Sequence, residues 1–157
     1  MPFRQMHPAL TRFLITSTKF TPLSRSILRP DKVALIQTNS SFSREKISRT
    51  EVTLYTPNNV NYTFMNTYFD HLNSTESEWC SVLDGILFAE KKDQGAIELE
   101  NECLPIIQHL IKRKPPAQSY LQGYYHTILI EVKAMEYVGV RWIPRDTTDT
   151  DILFRIE

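Results

Sequence analysis

Cys80 and His109 are the two residues of this sequence whose types best suit nucleophilic chemistry. A thiol becomes a nucleophile when a nearby imidazole removes its proton. If two antiparallel helices turn near Gly95, both side chains lie at similar distances from the turn and could face each other. Cys80 also adjoins the apolar face of its helix, however, where a free cysteine behaves as a small hydrophobic residue. The pair is therefore kept as a catalytic candidate, and a small enzyme with a Cys/His site is one alternative function.

Potential metal ligands are spread widely along the chain. The candidates for zinc are His71, Cys80, Cys103, His109 and His126. None of them shows the close paired spacing of a structural zinc site. The loop PRDTTDTD holds Asp146, Asp149 and Asp151, but it lacks the central glycine and distal glutamate of an EF-hand loop. We interpret this loop as a solvated turn, and we expect no metal and no cofactor.

Aromatic residues with polar tips and one basic cluster indicate a surface that binds a protein partner. Tyrosine and tryptophan are enriched at interfaces because they combine a large apolar area with a hydrogen-bonding group. The run KRKPP could bind an acidic partner or a phosphate group, although basic residues also suit the end of a helix. The predicted partner-binding residues are Tyr120, Tyr124, Tyr125, Trp142, Lys112, Arg113 and Lys114.

Local patterns predict two elements in the middle of the chain. The run EVTLYTPNNVNYTF alternates apolar and polar residues on both sides of a turn that begins at Pro57. This predicts a β-hairpin with strands near 51–56 and 60–64. A helix is predicted from Thr75 to Gly95, because a capping box begins it, its apolar residues share one face, and a glycine ends it.

The later elements follow from weaker patterns. A second helix is predicted over 96–114, with a kink or restart at Pro105, and it should pack antiparallel to the first. The run 118–138 fits either a helix or a strand, and its length favours a helix. The segments VRWI and DILFRIE flank a polar loop and could form a closing hairpin.

The resulting order is ββαααββ, an α+β fold. Its antiparallel sheet would come from an N-terminal and a C-terminal β-hairpin packed against about three helices, in a single acidic domain over 50–157. Residues 37–50 are polar and Ser-rich without periodicity, which predicts a linker. A basic N-terminal extension, residues 1–49, would precede the domain. No stretch approaches the roughly 18 consecutive apolar residues of a transmembrane segment.

The first thirty residues contain four arginines and one lysine but no aspartate or glutamate. On a helical wheel, the run ALTRFLITSTKFT places most of its apolar residues on one face and its basic residues on the other. A basic amphipathic helix rich in Ser and Thr is typical of a mitochondrial transit peptide. We therefore expect a matrix protein that is processed near Arg25 or Arg29, or as late as Arg49. The predicted targeting residues are Arg4, Arg12, Phe13, Lys19, Phe20, Arg25 and Arg29.

Charge divides the chain into unlike parts although its formal net charge is zero. Residues 1–50 hold nine basic and two acidic residues, a net +7, and residues 51–157 hold nine and sixteen, a net −7. An acidic domain repels phosphate, so the mature domain is not expected to bind nucleic acid. We interpret the protein as a mitochondrial accessory or assembly factor that binds a protein partner in an organellar complex. Another alternative is a retained basic arm that binds RNA or an anionic membrane.

Overall fold

The computed structural model describes residues 20–23 and 32–144 of the chain. Within them lie six β-strands and three α-helices. The strands are β1 (Thr21–Pro22), β2 (Ala34–Phe42), β3 (Ser48–Tyr55), β4 (Asn61–Tyr68), β5 (Ala96–Asn101) and β6 (Tyr137–Trp142). The helices are α1 (Ser74–Lys91), α2 (Leu104–Lys112) and α3 (Ser119–Ala134). The described part of the chain is therefore a mixed α/β domain.

One sheet holds all six of these strands, in the order β1-β6-β5-β2-β3-β4. Its centre, formed by β2, β5 and β6, is parallel, whereas β2, β3 and β4 form an antiparallel meander and β1 is antiparallel to β6. The expected purely antiparallel sheet and the ββαααββ order are therefore wrong. The physical cause is the helical connections before β5 and β6, which carry the chain back across the sheet so that these strands run parallel.

The hydrophobic core lies between the sheet and the helices. Ile36 and Leu54 from the strands are fully buried, and they belong to one cluster with Trp79 and Ile86 of α1. α1 packs across β2 and β3, α2 packs on β6, and α3 packs on α1. Because α1 packs across β2, the residues on the face of α1 that is turned toward the sheet contact that strand directly.

The local patterns predicted the hairpin and the first helix correctly. β3 and β4 pair as an antiparallel hairpin, and Asn59 in the turn adopts a left-handed conformation with φ 66°. α1 begins after Asn73, whose side-chain oxygen accepts a hydrogen bond from the Glu76 N–H at 3.0 Å. The cap of this helix is therefore Asn73, two residues before the predicted Thr75.

Residues 96–101 form β5 and not the first part of the predicted second helix. Ile97 and Leu99 are fully buried in the core. Glu100 alternates with them and bonds Arg141 of β6. An alternation of period two with one apolar and one polar face is the pattern of a strand. Six residues are too few to distinguish it from a helix by sequence periodicity alone.

Pro105 lies in the first turn of α2 and does not kink a longer helix. The missing N–H of a proline has no cost there, because the first N–H groups of a helix have no partner within it. The ambiguous run 118–138 is mostly helical, since α3 ends at Ala134 and β6 begins at Tyr137. The predicted closing strand DILFRIE lies outside the described residues.

Residues 37–42 belong to β2 and not to a Ser-rich linker. This strand lies between β3 and β5 in the interior of the sheet. Polar residues around it are buried because they have partners: the hydroxyls of Ser48 and Ser77 lie 2.5 Å apart, and Thr50 donates to Asp84 at 2.7 Å. Hydrogen bonds offset the cost of burying polar groups. A polar segment such as 37–50 can therefore form part of a buried sheet, and its composition wrongly indicated a linker.

Most of the predicted targeting segment lies outside the described residues, so the transit peptide and the matrix location stay predictions. Phe20 is described, and the Arg141 guanidinium lies 4.2 Å from the centre of its ring. Leu23 is buried, and its N–H donates to the Val138 carbonyl at 2.7 Å. Processing at Arg49 would remove the interior strand β2. Processing near Arg25 or Arg29 would remove β1, which pairs with β6.

Among residues 20–23 and 32–144, no helix is long and apolar enough to cross a membrane.

Candidate functional site

The carboxyl ends of β5 and β6 meet β2 at Thr38, where the pairing of β2 with β5 ends, and β2 continues to Phe42 paired with β3. Thr38 pairs in register with Asn101, and Asn101 pairs with Trp142. From β2 the chain continues into β3 on one side, and it later returns on the other side as β5. In open α/β sheets, ligands bind outside the carboxyl ends of the strands where such connections diverge. We name Thr38, Asn101, Trp142 and Glu78 of α1 the switch-point edge.

A neutral, hydrogen-bonded pair occupies the centre of the switch-point edge. Asn101 Nδ2 donates to Thr38 Oγ1 at 2.8 Å and to the Thr38 carbonyl at 3.3 Å. The Asn101 Oδ1 atom accepts from the Cys103 N–H at 2.7 Å. Thr38 is 5% exposed and Asn101 is 0% exposed. The pair is therefore held in one arrangement and brings no charge to this edge.

α1 approaches this pair so closely that a glycine is required. A Cβ on Gly85 would lie 2.5 Å from Cγ2 of Thr38 and 3.2 Å from Cγ2 of Ile36. Nearer the start of the helix, Ser77 Oγ donates to the Ser41 carbonyl at 3.4 Å. α1 thus runs antiparallel to β2, and its first turns lie beyond Thr38 toward the end of that strand.

Gly85→Ala is expected to destabilise the domain by about 1–3 kcal/mol, because the added methyl group would overpack Thr38. In most helix interiors the same change stabilises by up to about 1 kcal/mol. Gly123→Ala in α3 is the matched control, since a Cβ there would meet nothing within 4 Å. Thermal unfolding of both variants measures the difference. Stabilisation by both substitutions would contradict the close approach of α1 to β2.

Glu78 is the carboxylate that α1 contributes to the switch-point edge. It follows Ser77, which contacts the end of β2. Burial raises the pKa of Cys103, a hydrogen bond from the Ile106 N–H lowers it, and the charge of Glu78 raises it further. The Cys103 N–H in turn bonds Asn101. Glu78 therefore lies within electrostatic range of the Cys103 thiol, as does Glu102, the residue that follows Asn101.

The turn between β2 and β3 carries exposed basic residues at the same end of the sheet. We name Arg44 and Lys46, both exposed, the basic turn. A hydrogen bond of 2.9 Å from the Ser43 N–H to the Ile47 carbonyl closes it, and Lys46 adopts a left-handed conformation with φ 61°. The turn follows Phe42, the last residue of β2 and four residues beyond Thr38, so the two cations lie farther along the strand at the same end of the sheet.

Asp84 organises a polar cluster between α1, β3 and β4. Tyr68 and Thr50 both donate to its Oδ2 atom, at 2.8 Å and 2.7 Å. The Cys80 thiol lies 3.8 Å from the same oxygen, and Asn66 Nδ2 donates to the Tyr68 hydroxyl at 2.8 Å. Burial raises the pKa of Tyr68, so its hydroxyl keeps its proton and acts as a donor. This cluster ties the middle of α1 to the sheet.

Cys80 and His109 have different surroundings, and the contacts of neither residue pair the thiol with the imidazole. Burial is the main cause that raises the pKa of Cys80 to about 12. The thiol therefore stays protonated near neutral pH, which makes it a poor nucleophile. The His109 ring lies 6.0 Å from that of Trp79, and its Nδ1 atom lies 2.9 Å from the Lys114 carbonyl.

The tyrosines that were predicted to bind a partner have contacts inside the domain. Tyr124 donates to a carboxylate oxygen of Glu76 at 2.8 Å. The Tyr120 hydroxyl accepts from Asn73 Nδ2 at 2.7 Å, and Tyr125 is buried. The first two contacts join α3 to the beginning of α1. They give these residues a structural role, and a binding role stays a prediction.

Trp142 and the cluster Lys112 to Lys114 lie near opposite ends of α2. The Trp142 indole N–H donates to the Glu102 carbonyl at 2.9 Å, just before α2 begins. Arg113 ends α2 in a left-handed conformation, φ 55°. Its guanidinium donates to the carbonyl of Leu23, the residue after β1. Lys112 and Lys114 are exposed. Of the predicted binding residues, Trp142 is the one that belongs to the switch-point edge.

Groups that could hold a metal ion are also separated in space. Over residues 20–23 and 32–144, no cluster of three or more His, Cys, Asp and Glu side chains has a metal-binding arrangement. His71, for example, is buried with its Nδ1 atom 2.8 Å from Ser48 Oγ and its ring stacked on Tyr68. The acidic loop PRDTTDTD extends beyond the described residues, so its interpretation as a solvated turn stays a prediction.

Sequence reasoning missed Thr38, Asn101, Glu78 and the basic turn. Residues 37–50 had been assigned to a linker, and Asn101 had been assigned to a helix. A signal was nevertheless present, because the runs ALIQTN and AIELEN both alternate and both end in polar residues. Alternating runs that end in polar residues are typical of adjacent strands that lead to a binding edge.

A family model described as reverse transcriptase-like matches residues 37–150. The matched segment contains the switch-point edge, the basic turn and all three helices. No curated protein matches the chain.

Several solved structures share the fold at low sequence identity. RNase H1 of Halobacterium salinarum NRC-1 has a TM-score of 0.63 and 11% identity, over 73% of this chain and 88% of that one. The N-terminal RNase H domain of a Mycobacterium tuberculosis protein has a TM-score of 0.65 and 10% identity, over 79% and 92%. LC11-RNase H1, solved in complex with an RNA/DNA hybrid, has a TM-score of 0.63 and 10% identity, over 72% and 86%. These likenesses show that the chain has an RNase H-like fold.

These findings correct the functional interpretation of the sequence. A mitochondrial accessory or assembly factor is wrong, because the family match and the shared fold point to a different class of protein. The expectation that the domain does not bind nucleic acid is overturned by the same findings, together with the structure of the same fold that was solved with an RNA/DNA hybrid. That expectation rested on the summed charge of residues 51–157, which leaves out the basic turn because Arg44 and Lys46 had been assigned to the N-terminal extension. The match over residues 37–150 shows that the chain belongs to the reverse transcriptase-like family.

Proposed function

We propose that the chain binds an RNA/DNA hybrid across the switch-point edge and the basic turn. The observation that carries this proposal is the family match over residues 37–150, which contains every residue of both features. A structure with the same fold, LC11-RNase H1, was solved in complex with an RNA/DNA hybrid, which supports the hybrid as the ligand. The divergence of the connections from β2 and β5 supports the same location.

The basic turn supplies the positive charge that a phosphate backbone requires. Arg44 and Lys46 are exposed on either side of Glu45, so the turn carries a net positive charge. Cations that neutralise phosphates release counterions, and this release provides most of the sequence-independent affinity for nucleic acid. Salt largely screens the repulsion between a nucleic acid bound here and the acidic residues at the far end of the domain, since the Debye length is about 10 Å at 0.1 M salt. An acidic total is therefore compatible with a basic contact surface.

The switch-point edge suits the sugars of an RNA strand better than its phosphates. An ionised Glu78 would accept hydrogen bonds and repel phosphate groups. A ribose 2′-hydroxyl is a donor that DNA lacks, and contacts to it are how proteins distinguish RNA from DNA. Trp142 is partly exposed and offers an aromatic surface beside the same edge. We therefore expect a duplex with one RNA strand to bind more tightly than a DNA duplex.

Fluorescence anisotropy with labelled duplexes of one sequence tests this proposal. The full chain is titrated against an RNA/DNA hybrid, a DNA duplex and an RNA duplex over a range of salt concentrations. We expect the hybrid to bind more tightly than the DNA duplex, with an affinity that falls as salt increases. A failure to bind the hybrid at low salt, or equal affinity for DNA, would contradict the proposal.

A further inference from the structure

β4 forms one outer edge of the sheet, and the two edges differ in how they are protected. Within the described residues β4 pairs only with β3, and β1 pairs only with β6. β1 has two residues, and one of them is Pro22, which has no N–H to offer a further strand. Short edge strands and prolines prevent a sheet from pairing with other chains. β4 has eight residues, and its sequence NYTFMNTY contains no proline, glycine or charged residue.

Apolar side chains are exposed around the same edge. Met65 in β4 is 61% exposed, and Phe69 and Leu72, which follow the strand, are 74% and 62% exposed. Val60 in the turn before β4 is exposed as well. Exposed apolar surface that is concentrated in one place marks an interaction site. Pairing of β4 with a further strand would therefore also cover apolar surface beside it.

The direction of the backbone groups of β4 follows from its pairing with β3. The Thr56 N–H donates to the Val60 carbonyl at 3.1 Å where the hairpin closes. Hydrogen-bonded and non-hydrogen-bonded pairs alternate along antiparallel strands, so the even-numbered residues of β4 direct their N–H and C=O groups at β3. The residues that direct these groups outward are Asn61, Thr63, Met65 and Thr67. Of these outward groups, the Thr67 N–H has a partner in the described part of the chain, the adjacent Asn66 Oδ1 at 3.0 Å.

We infer that two copies of this chain associate through antiparallel pairing of their β4 strands, about a two-fold axis at Phe64, because β4 is a long and uncharged edge. Like charges on opposed strands destabilise a pair, and an edge without charges meets none when it pairs with its own copy. The inference goes beyond the proposed function and does not depend on it, since it involves no nucleic acid.

The position of the axis follows from the symmetry of the outward-facing residues. Directly opposed residues of antiparallel strands lie on one face of the sheet, so the axis between identical strands passes through a residue. With the axis at Phe64, Thr63 opposes the partner's Met65 and Asn61 opposes the partner's Thr67. All outward N–H and C=O groups of β4 then have a backbone partner, and the Thr67 N–H exchanges its side-chain acceptor for a carbonyl. The two Phe64 side chains become neighbours, and aromatic pairs of this kind stabilise antiparallel strands.

Pairing at β4 closes the assembly at two copies. The joined sheet ends on both sides in β1, the edge that its length and Pro22 protect. A two-fold interface uses the same surface of both subunits and leaves no copy of it free. An eight-residue strand spans about 27 Å. A single strand pair of this length belongs to the small interfaces, below about 1,200 Å² in total, that are typical of weak association. We therefore expect a reversible dimer.

Sedimentation equilibrium of the full chain without nucleic acid tests the inference. We expect the average mass to rise from that of one chain toward twice that value over about 1–200 µM. Met65→Lys is expected to weaken dimerisation at least about ten-fold, because a lysine on an edge strand opposes pairing. Ile130→Lys is the matched control, since Ile130 lies on α3 and is exposed to a similar extent, 65%. It should dimerise like the wild type.

Two double variants test the position of the axis. In T63E/M65K, the introduced glutamate opposes the introduced lysine of the partner, and this pair should regain at least about three-fold of the affinity that M65K loses. T67E/M65K carries the same charges at the same spacing within one chain. Position 67 opposes the partner's Asn61, so we expect no gain from this second variant.

The outcomes decide the inference without reference to hybrid binding. A wild type that stays monomeric at about 200 µM would overturn it. Protection of the Met65 amide from hydrogen exchange in such a monomer would show that another segment of the same chain covers β4. Equal weakening in M65K and I130K would place the contact elsewhere, and equal gains in the two double variants would overturn the axis at Phe64. If M65K fails to fold, exchange of the wild-type Met65 amide above and below the dimerisation range decides the question, because β4 pairing predicts protection in the dimer alone.

Discussion

Replacing Arg44 and Lys46 together with glutamate is expected to lower the affinity for an RNA/DNA hybrid on the order of a hundred-fold at about 50 mM salt. Both residues are exposed on the turn that follows β2, beyond the switch-point edge at the same end of the sheet. Each lost phosphate contact removes a released counterion, so the slope of log affinity against log salt should become shallower by about two. Anisotropy titrations at several salt concentrations measure the affinity and the slope together.

The control for this variant places the same charge change at the other end of the domain. Lys91 is the last residue of α1 and Lys133 lies in the last turn of α3, and both are exposed. The double variant K91E/K133E has the same net charge as R44E/K46E. We expect it to keep its affinity within about three-fold, because charges beyond the Debye length of about 10 Å contribute little. Equal losses in the two variants would show that net charge, and not the basic turn, governs binding.

Asp84→Ala is expected to cost about 2–5 kcal/mol of folding free energy, because several buried or half-buried donors share this one carboxylate. The Thr50 hydroxyl, which is buried, and the Tyr68 hydroxyl would both lose their acceptor. A buried donor without a partner costs about 1–3 kcal/mol. Urea unfolding of the variant gives the change in free energy directly.

Two further variants determine whether the cost comes from the lost acceptor. Asp84→Asn keeps an oxygen in the same place and should cost less than Asp84→Ala. Tyr68→Phe should destabilise the wild type but have little further effect on Asp84→Ala, because the donor it removes is already without its acceptor. If the Tyr68 substitution costs the same in both backgrounds, the hydroxyl and the carboxylate are not coupled.

The elements that were predicted correctly are those whose signals are local. The β3–β4 hairpin follows from alternation on both sides of a turn, and α1 follows from apolar residues on one helical face. Each of these patterns is complete within about twenty consecutive residues, so neither depends on where the rest of the chain lies. Their bounds shifted by a few residues: the cap of α1 is Asn73 and not Thr75, and the helix ends at Lys91 and not at Gly95.

The centre of the sheet was missed because parallel pairing is not a local property. β2 pairs with β5, whose residues follow more than fifty positions later, and nothing in either segment specifies the other. Ser48 and Thr50 appeared to belong to a solvated linker, yet both are fully buried with hydrogen-bonded hydroxyls. Their partners, Ser77 and Asp84, come from α1 and become visible only after folding.

The candidate site depends on this same missed pairing. Thr38 and Asn101 are ordinary neutral residues in sequence. What makes them a candidate site is that they are paired in register where the pairing of β2 with β5 ends. The Cys80–His109 pair was predicted as a catalytic candidate because its residue types are reactive. Burial removes that reactivity by raising the pKa of Cys80. Residue type alone was therefore a poor guide, and position at the edge of the sheet is the informative feature.

An NMR titration most directly tests whether an RNA/DNA hybrid binds at the switch-point edge and the basic turn. Backbone amide signals of the ¹⁵N-labelled chain are followed as hybrid is added. We predict the largest shifts at Thr38, Asn101, Arg44 and Lys46, with little change at Lys91 and Gly95 on the opposite end of the domain. Shifts concentrated at that opposite end, or no shifts at all, would contradict the account.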